Sequence, residues 1–481
     1  MAGDRVVPNN GTTTTFNDTS EAEDVRDLNI YDFMLYTYDG SEGYKDGTYL
    51  VPHPRESFYN IRRRVSVYKN LFKPICTAMV DPVYARPITR ETGSEMFQKF
   101  IEDVDNAGTD AQTFMRSTLT FARLYGVTFV VMDNTVPVAM TIAEAIEKRE
   151  FPYVYRKDPR SVVEKGPLRW KTDSWGNLIS IAFDAGLRQD GDRKTRLYRE
   201  YTKTEWILYE ESGNLLTAIE RGTHGLRDEN GLPMLPVIAV TNFVNEKTMY
   251  NLPYPPLFSL AWHIYSKFQI DSEVRTLSQS QTFSILCVQA GGSSNGLIAG
   301  PTNYLDIPMD AKLPPSFIGP DPAHFNNMRD YADKMVDEIF DLAHQNGVIG
   351  IRAEASGIAK EWDFRAEENI LRQTALAGQS VEDKMAALFE AYTGQSVDYT
   401  ATYPMEYGPG WESRRMADIM AAMDKMPPPA VQNELWKEFV TLFWKSDEEK
   451  AQFIAGAMGE MDMPTDGGAP IREPASSSEE E

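Results

Sequence analysis

The chain has 481 residues, with 48 Lys and Arg against 71 Asp and Glu, and a formal net charge of −23. Apolar residues are 42% and charged residues 25%, a globular balance with room for roughly two to four domains and a core that needs no metal or disulfide staple. The acid excess excludes a protein that coats nucleic acid, which would need a basic footprint to release phosphate counterions, so any contact with DNA has to be local or weak.

Residues 1–29 are polar, with Thr12 to Thr15 in a row and acids at Glu21, Glu23, Asp24 and Asp27. They read as a mobile arm. The opening MAGDRVVPNN has no apolar h-region, so no signal peptide is expected. Residues 95–124 read as helix, with Met96, Phe97, Phe100, Ile101 and Val104 on one side, a break at Gly108, then Phe114, Leu119 and Phe121. Val127 to Met132 is a buried strand. Residues 151–245 are mostly β, with runs at Ile179–Phe183, Leu197–Tyr201, Trp206–Tyr209 and Val237–Val240. Bulky residues alternate there with Arg and Lys, as in a half-solvated antiparallel sheet.

Pro253, Pro255 and Pro256 end the sheet, and Leu257 to Phe283 then reads as one long helix. Residues 284–322 carry short β runs, Ile285 to Val288 and Leu297 to Ala299, around a Gly291–Gly296 loop. A second helix is expected over Ala323–Gln345, with the apolar stripe Met328, Ala332, Met335, Ile339 and Leu342. Opposite that stripe lie Asp330, Asp333, Asp337, Glu338 and Asp341, with Lys334 among them. On one helix this is an ordinary solvated face. Repeated around a ring, the same face would line a channel with acid and repel phosphate.

Asn346 to Phe364 reads as irregular. A long helix is expected from about Arg365 to Tyr392, with Asp363 as its N-cap and Leu371, Ala375, Gly378, Val381 or Glu382, Met385, Leu388 and Tyr392 on one face. The rest is helical, at about 412–425, 430–445 and 447–457, with a Pro427-Pro-Pro429 break and a Ser446/Glu449 capping box. Residues 460–481 form an acidic tail expected to be disordered. The element mix is α+β, and no internal repeat occurs.

Few motifs carry chemistry. Cys76 and Cys287 are far apart in sequence, which argues against a disulfide scaffold or a Cys-based zinc site. No Walker A loop and no G-x-G-x-x-G is present. The histidines, at 53, 224, 263, 324 and 344, never fall at i, i+4, so no helical two-His metal face exists. Asp103, Asp105 and Gly108 hint at an EF-hand, but Phe114 stands where the bidentate acid belongs. Neither metal nor cofactor is expected. No run of about 18 apolar residues occurs, so no membrane span is expected. Gly292-Ser-Ser294-Asn-Gly296 matches the serine-hydrolase elbow, with Asp306 or Asp310 and His324 following, but Leu297-Ile-Ala-Gly-Pro301 cannot continue it as the required helix. Basic clusters at Arg62-Arg63-Arg64 with Lys69 and Lys73, and at Arg193, Lys194, Arg196 and Arg199, suit subunit contacts as well as nucleic acid.

The order of elements resembles the portal proteins of tailed bacteriophages: mixed α/β part, long helix, small β module, long helix, irregular loop, long helix, helical end. Tyr68-Lys-Asn-Leu-Phe-Lys-Pro-Ile75, Phe121-Ala-Arg-Leu-Tyr-Gly126 running into Val127-Thr-Phe-Val-Val-Met-Asp133, and Ser356-Gly-Ile-Ala-Lys-Glu-Trp-Asp-Phe364 resemble local segments of that family. The resemblance covers about residues 55–455. It implies a homo-oligomeric ring, usually dodecameric, at one capsid vertex. Its wing would be residues 30–255 and 365–410, its stem helices 256–283 and 323–345, its clip 284–322, its tunnel-loop region 346–364 and its crown 411–459. The stem acids named above, with Lys334, would line the channel. Gly350, Arg352, Ser356, Gly357 and Lys360 would belong to the tunnel loop, and Cys287, Leu297, Ile298, Tyr304 and Ile307 to the clip interface. Double-stranded DNA would pass without sequence specificity. The implied partners are terminase, head-completion or adaptor proteins, and the major capsid or scaffolding protein, in the virion and, during assembly, the host cytoplasm. No catalytic site is implied. The other readings are a different virion ring, such as an adaptor or minor head protein, or a serine hydrolase using Ser294.

Overall fold

A computed structural model describes residues 5–9, 12–16, 25–54, 56, 59–134, 141–174, 177–190, 193–213, 215–241, 252–280, 285–288, 304–306, 316–318, 322–343, 357–407 and 411–443. The fold is α+β. The chain divides into two compact units, Met1–Tyr407 and Gly408–Glu481.

The first unit opens with a difference from expectation. Within the arm, β1 (Arg5–Asn9) and β2 (Thr12–Phe16) pair antiparallel, from Arg5 opposite Phe16 to Asn9 opposite Thr12. The run of threonines is β-branched and suits a strand, and Asn10-Gly11 between the strands is a two-residue hairpin signal. Helix α1 (Ile30–Asp39) follows, capped by the Asn29 side chain, which accepts from the Tyr31 amide at 2.9 Å. Short helices α2 (Gly43–Asp46), α3 (Tyr59–Val65) and α4 (Phe72–Ala78) come next, then strand β3 (Thr89–Glu91).

The helical stretch read over 95–124, with its break at Gly108, is the pair α5 (Glu95–Glu102) and α6 (Ala111–Tyr125). Ser94 and Asp110 cap them, and Gly126 ends α6 in the left-handed region. A side chain at Gly126 would also meet the Tyr254 carbonyl at 3.0 Å. In the loop between the helices, Asp105 accepts from the Ala107 and Thr109 amides and Asp103 from the Gly108 amide. These carboxylates hold the turn.

Strand β4 (Thr128–Asp133) is central in a three-stranded sheet, flanked by β5 (Tyr153–Lys157) and β11 (Val237–Val240), all antiparallel. Short α7 (Ile142–Glu147) lies between β4 and β5 in sequence. The half-solvated sheet is five-stranded and antiparallel, ordered β10-β9-β8-β7-β6: β6 (Lys171–Thr172), β7 (Leu178–Asp190), β8 (Arg193–Thr202), β9 (Glu205–Ser212) and β10 (Leu215–Thr223). Ile181, Phe183, Tyr198 and Tyr201 are buried, while β10 is almost wholly exposed.

Helix α8 (Phe258–Ser280) and helix α9 (Pro322–Leu342) pack together. Three short strands lie between them in sequence: β12 (Ile285–Val288), β13 (Tyr304–Asp306) and β14 (Ser316–Ile318). β12 is central, parallel to β13 and antiparallel to β14. Helix α10 begins at Gly357 rather than near Arg365, and runs to Thr393. Asp363 is therefore inside the helix and is not its N-cap. Only Gly357 favoured irregularity there; the residues after it include good helix formers and no proline. Of the face read from sequence, Leu371, Ala375, Gly378, Val381, Glu382, Met385 and Leu388 are buried and Tyr392 is half-buried. Strand β15 (Thr400–Thr402) returns to pair with β3.

One apolar core joins α5, α6, the β4 sheet and α10. A second joins α1, α4, the first half of α8 and the last half of α9. Since the N-terminal half of one long helix shares a core with the C-terminal half of the other, α8 and α9 run in opposite senses.

The second unit, among its described residues, is a helix pair, α11 (Trp411–Met423) and α12 (Pro429–Phe443). Pro429 starts α12, where its missing N–H and fixed φ cost nothing. Arg415 grips Glu438 through two bonds of 2.7 and 3.1 Å, and Ile419 is buried. The third helix expected at 447–457, the Ser446/Glu449 box and the acidic tail lie outside the described residues.

Candidate functional site

The α8–α9 hairpin gathers most of the residues singled out from sequence. Its length follows from an unbroken helical period with no proline after Pro256 or Pro322. On α9, Ala332, Met335, Ile339 and Phe340 are buried, as is Ala343 just past its end. Leu342, expected in that stripe, is instead 47% exposed, because Phe340 and Ala343 place the core-facing side of the last turn elsewhere.

Asp330, Asp333, Lys334, Asp337, Glu338 and Asp341 are all exposed. Asp330, Asp333, Asp337 and Asp341 are spaced by three, four and four residues, so they form a row on one face. Arg329 reaches Asp330 only at 4.0 Å. Tyr331, 52% exposed, lies with Glu338 and Leu342 on a separate stripe, spaced by seven and four residues.

Helix α8 is held from its other neighbours by polar bonds that the sequence does not announce. Arg62 of α3 is buried at 2% exposure. It donates to both Glu56 carboxylate oxygens at 2.6 and 2.8 Å, to the Val51 carbonyl at 2.6 Å and to the Ser272 hydroxyl at 3.0 Å. Gln269 of α8 accepts from the Val51 amide at 2.9 Å and donates to the Tyr49 carbonyl at 2.7 Å. Burial pushes the Glu56 carboxyl up, but the Arg62 and His53 hydrogen bonds outweigh it and hold the group below 4.5. Lys267 and Asp271 pair at 2.7 Å along α8, both largely buried.

The basic clusters resolve into separate uses. Arg62 is engaged internally. Arg196 pairs with Asp184 at 2.6 Å, and Arg199 with Asp133 at 3.2 Å while lying over the Trp206 ring. Arg64 and Lys69 are exposed and make no ion pair among the described residues.

Of the remaining sequence-predicted residues, Cys287 lies on the central strand β12, whose backbone is paired on both sides, opposite Leu305 and Ser316. It cannot offer a free strand edge to a neighbour. Tyr304 is on β13, which is an edge. Leu297, Ile298 and Ile307 lie outside the described residues, as do Gly350, Arg352 and Ser356. Gly357 and Lys360 are in α10 rather than in a loop. Of the hydrolase set, Ser294 and Asp310 are outside the described residues, Asp306 ends β13, and His324 is exposed in the first turn of α9.

Sequence reasoning offered Glu382 as an alternative to Val381 on the buried face of α10 and missed its role. It accepts from Arg90 at 3.0 and 2.7 Å, from the Tyr403 hydroxyl at 2.5 Å and from the Tyr399 hydroxyl. A carboxylate on an otherwise apolar stripe was the available signal. Among the described residues, no helix is long and apolar enough to cross a membrane, and no group of acids, His and Cys could hold a metal.

Among solved structures, the chain is similar to one in the virion of a native gene transfer agent particle, at 12% identity and a TM-score of 0.38, over 88% of this chain and 99% of that chain. It is also similar to a chain in the neck of an empty gene transfer agent particle, at 14% identity and a TM-score of 0.40, over 77% of this chain and 90% of that one. No protein-family model matches the chain, and no curated protein does.

Proposed function

We propose that this chain is a portal-like subunit of a phage-type particle, forming a homo-oligomeric, usually dodecameric, ring whose centre passes double-stranded DNA. One observation carries the reading: a long antiparallel helix pair with a small β-sheet inserted between its helices in sequence, bearing on α9 a row of four exposed aspartates. In a ring this row is multiplied by the copy number. Two unit charges about 4 Å apart interact by only about 1 kcal/mol in water, so a single row does little. Many rows facing one channel add, and they would keep phosphates off the wall while leaving DNA free to slide. The acidic net charge suits such a conduit better than a binder.

In this reading the ring acts mechanically, without a catalytic site of its own. It docks terminase during packaging and head-completion or adaptor proteins afterwards, within a capsid vertex. Mass photometry and negative-stain imaging of the purified chain test it. A closed ring with a central hole is the expected result, and monomers only, across micromolar concentrations, would overturn it.

A further inference from the structure

We infer that neighbouring copies meet through two particular surfaces: the Tyr331–Glu338–Leu342 stripe of α9 on one copy, and the Ile61–Lys69 segment at α3 on the next. The inference rests on the ring reading above and adds the identity of its contact.

The first surface is a helix face left open within one copy. Tyr331 and Leu342 are 52% and 47% exposed, and about 16 Å of helix separates them at 1.5 Å per residue. Glu338 lies between them on the same stripe, exposed and with no ion pair among the described residues. This stripe is distinct from both the buried face and the aspartate row, so α9 can touch a neighbour along one flank while its aspartates face elsewhere.

The second surface is fixed in place yet also apolar and exposed. Ile61 is 51% exposed, Val67 50% and nearby Val51 59%. They sit on a segment clamped to α8 by the buried Arg62, with its bonds to Glu56, Val51 and Ser272, and by Gln269. A side chain held half out of water by a rigid backbone loses little freedom on docking, which favours association. Arg64 and Lys69 add exposed positive charge to this segment.

Charge selects this partner. Copies of a chain at −23 repel one another over distance, so a close contact needs locally opposite charge. Of the two basic clusters, the one at 193–199 has Arg196 and Arg199 already paired with Asp184 and Asp133, which leaves Lys194 as its one exposed cation without an ion pair among the described residues. The one at 62–69 keeps Arg64 and Lys69 available to Glu338 of a neighbour. The two surfaces differ from each other, so the contact is heterologous, the kind that closes into a ring when its rotation permits.

The test uses the full chain with Ile61→Cys and Leu342→Cys, in a Cys287→Ser background; Cys76 is buried. A short bismaleimide should link copies of the double variant into a ladder of covalent oligomers, and leave each single variant unlinked. Arg64→Glu should raise the concentration for half-assembly by about fivefold, the range of an exposed ion pair, and adding Glu338→Lys should restore it, which also shows that the single variant is folded. If the parent forms rings but the double cysteine variant gives no ladder and Arg64→Glu assembles normally, this contact is wrong and the ring stands. If the parent stays monomeric at every concentration, the ring reading itself fails and takes this contact with it.

Discussion

Replacing Glu382 by Gln tests what fastens the long helix α10 to the strand pair β3–β15. Glu382 is 3% exposed and Arg90 9% by side chain. The carboxylate receives two bonds from Arg90 and one each from the Tyr399 and Tyr403 hydroxyls. All four bonds are donated to the carboxylate by these three side chains. A glutamine keeps one acceptor oxygen, turns the other position into an NH2 that faces donors, and leaves the buried guanidinium without a counter-charge. Removing one partner of a buried pair costs about 3–5 kcal/mol, and each buried donor left unsatisfied about 1–3 kcal/mol. These overlap, so Glu382→Gln should destabilise by about 3–5 kcal/mol. The joint variant Glu382→Leu with Arg90→Met removes both charges and should recover much of that loss, since apolar replacements of buried pairs are often neutral or better. Urea unfolding followed by circular dichroism measures both variants against the parent. A loss under about 1 kcal/mol for Glu382→Gln, or a joint variant worse than the single one, would show that the cluster is not what secures α10.

Gly378→Ala should destabilise by about 1–3 kcal/mol in the same unfolding assay, because its Cβ would lie 2.8 and 2.9 Å from two Tyr403 ring carbons and 3.0 Å from its hydroxyl. Glu56 is held below 4.5 in the folded chain; a depressed carboxyl contributes stability above its unfolded pKa and loses it as pH falls through the folded value. Stability should therefore drop as pH falls below about 4.5, and Glu56→Gln should flatten that part of the curve while lowering stability at pH 7. Asp333→Lys with Asp337→Lys should leave the ring assembled and slow DNA translocation at low salt, with the slowing eased by added salt as counterions compete; packaging velocity at two ionic strengths measures this, and unchanged velocity at low salt would place these aspartates away from DNA.

The sequence by itself determined where regular structure starts and stops in the strongly periodic segments. The helix period with Gly108 as a break gave α5 and α6, and the alternation in 179–209 gave the core strands of the antiparallel sheet. It also fixed the two long helices around a small β insert, and the exposure of the six charged positions singled out opposite the apolar stripe of α9. Local physics is enough for such features: residue spacing and cap chemistry act over a few residues. Where local cues were read too simply, elements went astray. The threonine run of the arm looked like polar disorder but pairs as a hairpin, and Gly357 looked like a loop but opens α10.

What only the tertiary structure decided are pairings between distant positions. Nothing near Arg62 in sequence indicates that it reaches Ser272, nor that Arg90 reaches Glu382, 292 residues away. Strand order is of the same kind: Cys287 reads as a strand residue from its neighbours, but whether its strand is an edge depends on residues 304–306 and 316–318 closing on both sides of it. The last turn of α9 follows suit, since Phe340 and Leu342 are both apolar and only the core they meet selects which is buried. Spacing along a chain sets which side chains share a face, but the surface that face meets comes from elsewhere in the molecule.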